Sequence, residues 1–157
     1  MEEKGYTFIE LLVVIGITGI ITVIGISTIT PKIPHYRLNA AARALVSDLR
    51  LARQMAITER EKVKIILEPE LERYYIERES SNGVYISCIV DYQDKKQGYA
   101  GINLVSFSNS SSKNIIEFSS RGTTNDWGTI LLQNMDEERR ITIISTGRVK
   151  IKPVIKS

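Results

Sequence analysis

The chain has 157 residues, 43% hydrophobic and 25% charged, with a formal net charge of +3. These are the proportions of a folded protein, and the charge is too modest to imply a nucleic-acid partner by itself. A single cysteine, Cys88, excludes an intramolecular disulfide, and a single histidine, His35, excludes a His-based triad or a multi-histidine zinc site within one chain.

The first predicted element is apolar. From Leu11 to Thr30 there are 20 residues without a charge, enough for roughly 30 Å of helix, the thickness of a bilayer's hydrocarbon core. One carboxylate, Glu10, stands directly before this run, and a carboxylate at the edge of a spanning helix is costly unless it finds a partner. A cleaved secretory signal would have a basic leading region, a shorter apolar stretch and small residues after it. Here the leading residues are Met1-Glu2-Glu3-Lys4, and Thr30-Pro31-Lys32 follow the run. The small residue, Gly5, lies in front.

Gly5, Tyr6, Thr7, Phe8, Ile9, Glu10, Leu11 and Leu12 resemble, in order and spacing, the type III signal of type IV pilins and pseudopilins. The resemblance implies that residues 1–5 are a leader, that a prepilin peptidase cuts between Gly5 and Tyr6, and that the new amine on Tyr6 is methylated. It implies a single-pass protein of the bacterial inner membrane, with residues 6–30 as the transmembrane helix and the carboxyl-terminal part in the periplasm. Glu10 is then an assembly residue, neutralised by the amine of a neighbouring subunit in a low-dielectric bundle. Two features depart from the pattern: tyrosine replaces the commoner phenylalanine after the cut, and the leader carries two acids against one lysine. Charge flanking also disagrees with this topology, because only Lys4 precedes the span while Lys32, Arg37 and Arg43 follow it.

Beyond the Pro31–Pro34 joint, Leu38, Ala42, Leu45, Leu49, Ala52 and Ala56 recur at alternating steps of four and three, which predicts an amphipathic helix from about Leu38 to Glu59. Residues 31–61 are expected to continue the apolar helix as one spine, with any kink at Pro31 or Pro34. Residues 62–157 read as a β-rich domain. Strands are predicted in the run of Val63, Ile65 and Leu67, then at Arg73–Arg78, Val84–Tyr92, Leu104–Phe107, Ile115–Phe118, Thr129–Leu132, Arg140–Ser145 and Arg148–Ile151. Serine-rich Ser108–Lys113 and the region around Asp94–Gly101 are expected loops. The fold class is therefore α+β, a long N-terminal helix packed on antiparallel β-sheets, which is the pilin-like arrangement. Cys88 is expected to be a small buried residue.

A second resemblance lies in this part. Ser47, Leu49, Ala52, Arg53 and Ala56 match the "S-x-L-x-x-A-R-x-x-A" helix of GspH/FimT-type proteins, and Phe118–Gly122, Gly128–Ile130 and Ile143–Lys150 resemble that family's carboxyl signature. The resemblance implies an H-type minor pseudopilin of type II secretion, a structural subunit of a periplasmic pseudopilus. The alternative is a FimT-like minor type IV pilin of pilus biogenesis or competence that binds DNA. The implied partners are other pilin or pseudopilin subunits, the prepilin peptidase, an inner-membrane assembly platform and membrane lipid. No cofactor is implied, and the residues suggest no enzyme, since there is no phosphate-binding loop or nucleophile elbow.

Gly122 and Gly147 read as turn glycines with positive φ, and Trp127 as a packing residue at a loop base. Arg43 with Arg50, and Arg53 with Arg60, lie one heptad apart beside the apolar seam. Asp91 and Asp94 lack the alternating oxygen ligands of a calcium loop, and Asp136-Glu137-Glu138 reads as a solubilising hairpin tip. From Arg139 to Ser157 there are six basic residues and no acid. Arg148, Lys150 and Lys152 alternate, so on a strand they share one face, able to contact DNA phosphates. The plainer reading is a solvated edge strand protected by charge, and Lys150 stands where a second arginine would supply a bidentate fork.

Overall fold

The computed structural model describes residues 6–29, 32–80, 83–109, 113–152 and 155–156. The chain separates into two compact units, Met1–Ile33 and Pro34–Ser157.

The first unit contains helix α1, Phe8–Ile29. Two of its threonines are satisfied locally: the Thr18 and Thr22 hydroxyls each donate to the carbonyl four residues back, Val14 and Thr18, at 2.7 Å. Such back-bonding lets threonine sit in an apolar helix without an orphaned hydroxyl. Side chains are described only as far as Ile24, and over that portion no helix among the described residues is long and apolar enough to cross a membrane. Thr30 and Pro31 lie outside the described residues, and so does part of the expected kink.

The second unit begins with helix α2, Ile33–Glu59. The entire predicted stripe is buried on it, from Leu38 to Ala56, joined by Ala41 and Val46. Small alanines at four of these positions let the sheets approach the helix closely while Leu38, Leu45 and Leu49 fill the space between. Helix α2 begins five residues before the expected Leu38, because Pro34 falls in the first turn, where a missing N–H costs nothing.

Two antiparallel sheets share this core with α2. The first has the order β3-β2-β1-β5, from β1 (Val63–Glu68), β2 (Arg73–Ser80), β3 (Gly83–Asp91) and β5 (Ile115–Phe118). The second has the order β4-β6-β7-β8, from β4 (Asn103–Asn109), β6 (Gly128–Gln133), β7 (Glu137–Ile143) and β8 (Val149–Ile151), with β9 (Ile155–Lys156) also pairing β7. Alternation sets the faces: Val63, Ile65 and Leu67 point inward from β1, Ile130 and Leu132 from β6, and Ile141 and Ile143 from β7. Below them Tyr74, Tyr92 and Tyr99 pack ring against ring, and the Tyr74 hydroxyl donates to Asp48 of α2 at 2.6 Å. Burial pushes the Tyr92 phenol above its ordinary pKa, so the ring stays neutral.

Three expectations are corrected. Glu137 and Glu138 are not a tip: they open β7, and the turn is Asn134–Asp136, held by the Asn134 side-chain oxygen accepting from the Asp136 and Glu137 amides at 2.9 and 2.7 Å. Arg139 does not join a basic surface. It shares the inward face with Ile141 and Ile143, is buried, and donates to Asn39 of α2. Trp127 is 53% exposed; the packing role in its loop belongs to Thr124, buried and bonded through its amide to the Ser145 carbonyl at 3.0 Å. The backbone of Cys88 is in β3, but its side chain lies outside the described residues.

Candidate functional site

Gly5 lies outside the described residues. Tyr6 is the first described residue and is exposed. Thr7 precedes α1 as its N-cap: the Glu10 amide donates to the Thr7 hydroxyl at 3.3 Å, and the Thr7 amide donates to the Glu10 carboxylate at 3.5 Å. This reciprocal pair is a capping box, which satisfies two of the amides a helix start leaves free. Thr7 thus has a physical role, and the Glu10 charge lies where the helix dipole favours an anion. The spacing Thr7-x-x-Glu10 is itself the sequence signature of such a box. Tyr6, Glu10, Leu11 and Val14 line one shallow, mainly apolar depression.

The two scattered segments of the second resemblance meet in space. Arg53, on the half-buried flank of α2, donates through Nε to the Gly122 carbonyl at 2.9 Å. Gly122 and Gly147 both have positive φ, +74° and +73°, and each closes a turn, to Ser119 and Ile144 respectively. A Cβ on Gly147 would lie 2.1 Å from the Gly122 carbonyl oxygen and 2.8 Å from Arg53 Nε. The turn reading of both glycines holds, and the structure adds its cause: two backbone turns and one guanidinium occupy a space that admits no side chain there. Arg43, Arg50 and Arg60 remain exposed.

At the carboxyl edge, β8 pairs β7 in the register Thr142↔Lys150 and Ile143↔Val149, and the Lys152 amide donates to the Arg140 carbonyl at 2.8 Å. Arg148, Lys150 and Lys152 are all exposed. Lys152 also lines a shallow depression on the outer face of the second sheet with Arg140, Ser106, Ser108, Thr129 and Leu131. Arg140 is held by Glu138 at 2.6 Å.

His35 and Asn134 belong to no sequence motif, yet both make contacts at the start of α2. His35 Nδ1 lies 2.8 Å from Glu137 Oε2, and Asn134 donates to the Pro34 carbonyl at 3.1 Å, so the start of α2 is fastened to the β6–β7 turn. Asp91 and Asp94 each accept a backbone amide two residues on, at 2.8 and 2.9 Å, which accounts for them as turn formers.

The sequence profile of the family described as Type II transport protein GspH matches residues 41–147. Competence protein ComGD of Bacillus subtilis (strain 168) is 24% identical over 156 residues, covering 96% of this chain and 94% of that protein. Among solved structures, the chain resembles the type IV minor pilin FimU of Pseudomonas aeruginosa, with a TM-score of 0.57 and 19% identity over 76% of this chain and 90% of that one. It also resembles the minor pseudopilin EpsH of the Vibrio cholerae type II secretion system, with a TM-score of 0.61 and 13% identity over 77% of this chain and 96% of that one.

Proposed function

Because the chain belongs to the GspH family of pilin-like proteins, we propose that it is a minor, non-enzymatic subunit of a pilin-like filament working in DNA uptake. One observation carries the choice of system. The likeness to a competence protein runs through nearly the whole chain, amino-terminal helix included. The likenesses to FimU and EpsH cover about three-quarters of it and bear on the fold. Deleting the gene in the organism that carries it should abolish entry of labelled DNA and leave protein export intact. Loss of an exported protein with normal DNA entry would refute this and favour the second reading, an H-type subunit of type II secretion.

In this proposal a prepilin peptidase removes residues 1–5, the Tyr6 amine is methylated, and α1 holds the subunit in the inner membrane before entering the filament. Glu10 has two separable duties, a charge for a neighbour's amine and a cap for its own helix. Removing one partner of a buried ion pair costs about 3–5 kcal/mol, whereas losing a cap costs about 1 kcal/mol. Glu10→Gln keeps a capping side chain and removes the charge. Incorporation into sheared filaments should therefore fail in Glu10→Gln as completely as in Glu10→Ala; rescue by glutamine would reduce Glu10 to a cap.

Arg148, Lys150 and Lys152 are the groups this proposal assigns to DNA phosphates. A gel shift should show binding that weakens with salt, and replacing all three by alanine should flatten the slope of log affinity against log salt by about 3. An unchanged slope would leave these residues as a charged edge.

A further inference from the structure

A sheet edge is a row of unpaired backbone donors and acceptors, and proteins ordinarily protect it with charge, proline or shortness. Two edges among the described residues follow that rule: β8 is three residues long with Lys150 at its centre, and β5 is four residues with Glu117 bridged to Lys62 at 2.8 Å. Strand β4 is uncharged but polar at four of its seven residues, Asn103, Ser106, Ser108 and Asn109. Strand β3 differs. It runs nine residues, Gly83-Val84-Tyr85-Ile86-Ser87-Cys88-Ile89-Val90-Asp91, with no charge before its last residue and no proline. Val84, Ile86 and Ile89 are 59, 58 and 59% exposed.

Pairing with β2 fixes which face each residue occupies. Ile89 stands opposite Tyr75 and Ile86 opposite Glu77 on the outer face, while Val90 stands opposite Tyr74 and Tyr85 opposite Arg78 on the inner face. Between them the register shifts by one residue at Tyr75/Ile76, so the outer face is even-numbered before the irregularity and odd-numbered after it. The outer face carries a cross-strand apolar row, Ile115–Ile66–Tyr75–Ile89, and a shallow depression lined by Arg73, Tyr75, Ile86 and Ile89.

We propose that β3 is a docking edge for a second copy of this chain, the two strands pairing antiparallel about a two-fold axis between Ser87 and Cys88. The register shift makes this one arrangement match on both faces. Ile86 falls opposite Ile89 of the copy on the outer face, and Tyr85 falls opposite Val90 on the inner face. The two-fold repeats each contact, gathering four isoleucines around the axis with the two Tyr75 rings beside them. A shift of one residue either way would set outer-face side chains against inner-face ones. Identical copies meet without like-charge repulsion because the strand is neutral from Gly83 to Val90. The two-fold makes the contact isologous and closed, so it yields a dimer and not an uncontrolled aggregate.

The test uses the full chain in mild detergent. Sedimentation equilibrium at tens of micromolar should give a dimer. Ile86→Lys should return it to a monomer with an unchanged circular dichroism spectrum, and Val105→Lys on exposed β4 should leave it dimeric. In a Cys88→Ser background, an Ile86→Cys chain mixed with an Ile89→Cys chain should form a disulfide-linked pair on mild oxidation, whereas neither alone should. A monomer at these concentrations, a dimer that survives Ile86→Lys, or equal cross-linking within the unmixed samples would each overturn the proposal.

Discussion

Three glycines provide an internal scale for the contact between Arg53 and the two signature turns. All have positive φ, +85° at Gly101, +74° at Gly122 and +73° at Gly147, so alanine pays a left-handed strain of about 1–2 kcal/mol at each. At Gly101 nothing lies within 4 Å of the added Cβ, and the strain is the whole effect. At Gly122 the Cβ meets Ile57 Cδ1 at 2.6 Å, the free end of a side chain that can turn aside for about 0.5–1.5 kcal/mol more. At Gly147 the obstacle is a backbone carbonyl at 2.1 Å, which cannot turn. Moving it adds about 1–3 kcal/mol of overpacking and withdraws the acceptor of a charged hydrogen bond from Arg53, about 1.5–3 kcal/mol. The sum at Gly147, about 3.5–8 kcal/mol, is comparable with the whole stability of many domains. Urea unfolding of the full chain in mild detergent should therefore order the variants Gly101→Ala, Gly122→Ala, Gly147→Ala from least to most destabilised, the last largely unfolded without urea. If Gly147→Ala lost no more than Gly101→Ala, the close approach of the two turns would be wrong.

Leu45→Ala, at a fully buried position of α2, should cost about 2–5 kcal/mol in the same assay, whereas Leu51→Ala on the exposed flank should cost under about 0.5 kcal/mol. Asn134→Ala removes three hydrogen bonds of a buried side chain and should cost about 2–4 kcal/mol, with amide exchange quickening first at Asp136 and Glu137. Glu137→Gln keeps a hydrogen-bonding group near His35 and should be milder than Glu137→Ala, a difference readable in the histidine ring's NMR shift.

The helix stripe and most strand centres could be read directly, because steps of four and three or strict alternation record which side chains are buried. What escaped was set by neighbours distant in sequence. Arg53 reads as a flank residue on its own helix; only the meeting of loops 69 and 94 residues further along shows what it holds. The three acids at residues 136–138 look like a turn, but β7 opens at Glu137, which pairs Lys156 of β9, and this confines the turn to residues 134–136. Arg139 belongs to the basic tail by composition but to the core by phase, since Arg139, Ile141 and Ile143 are alternate residues of one strand. Trp127 has the size of a packing residue, but the smaller Thr124 is the buried one, its hydroxyl accepting the Asp126 amide at 3.0 Å. The cysteine's surroundings and the junction at Thr30–Pro31 lie outside the described residues.

The fastening of Pro34 and His35 to the β6–β7 turn has a mechanical corollary. A tug arriving along the backbone at the start of α2 is shared at once with a hairpin a hundred residues away, before it can peel the helix from its bed. The ladder of β6 and β7 then adds its hydrogen bonds to the resistance of the buried stripe. A subunit drawn by its amino end should yield only when both give way together.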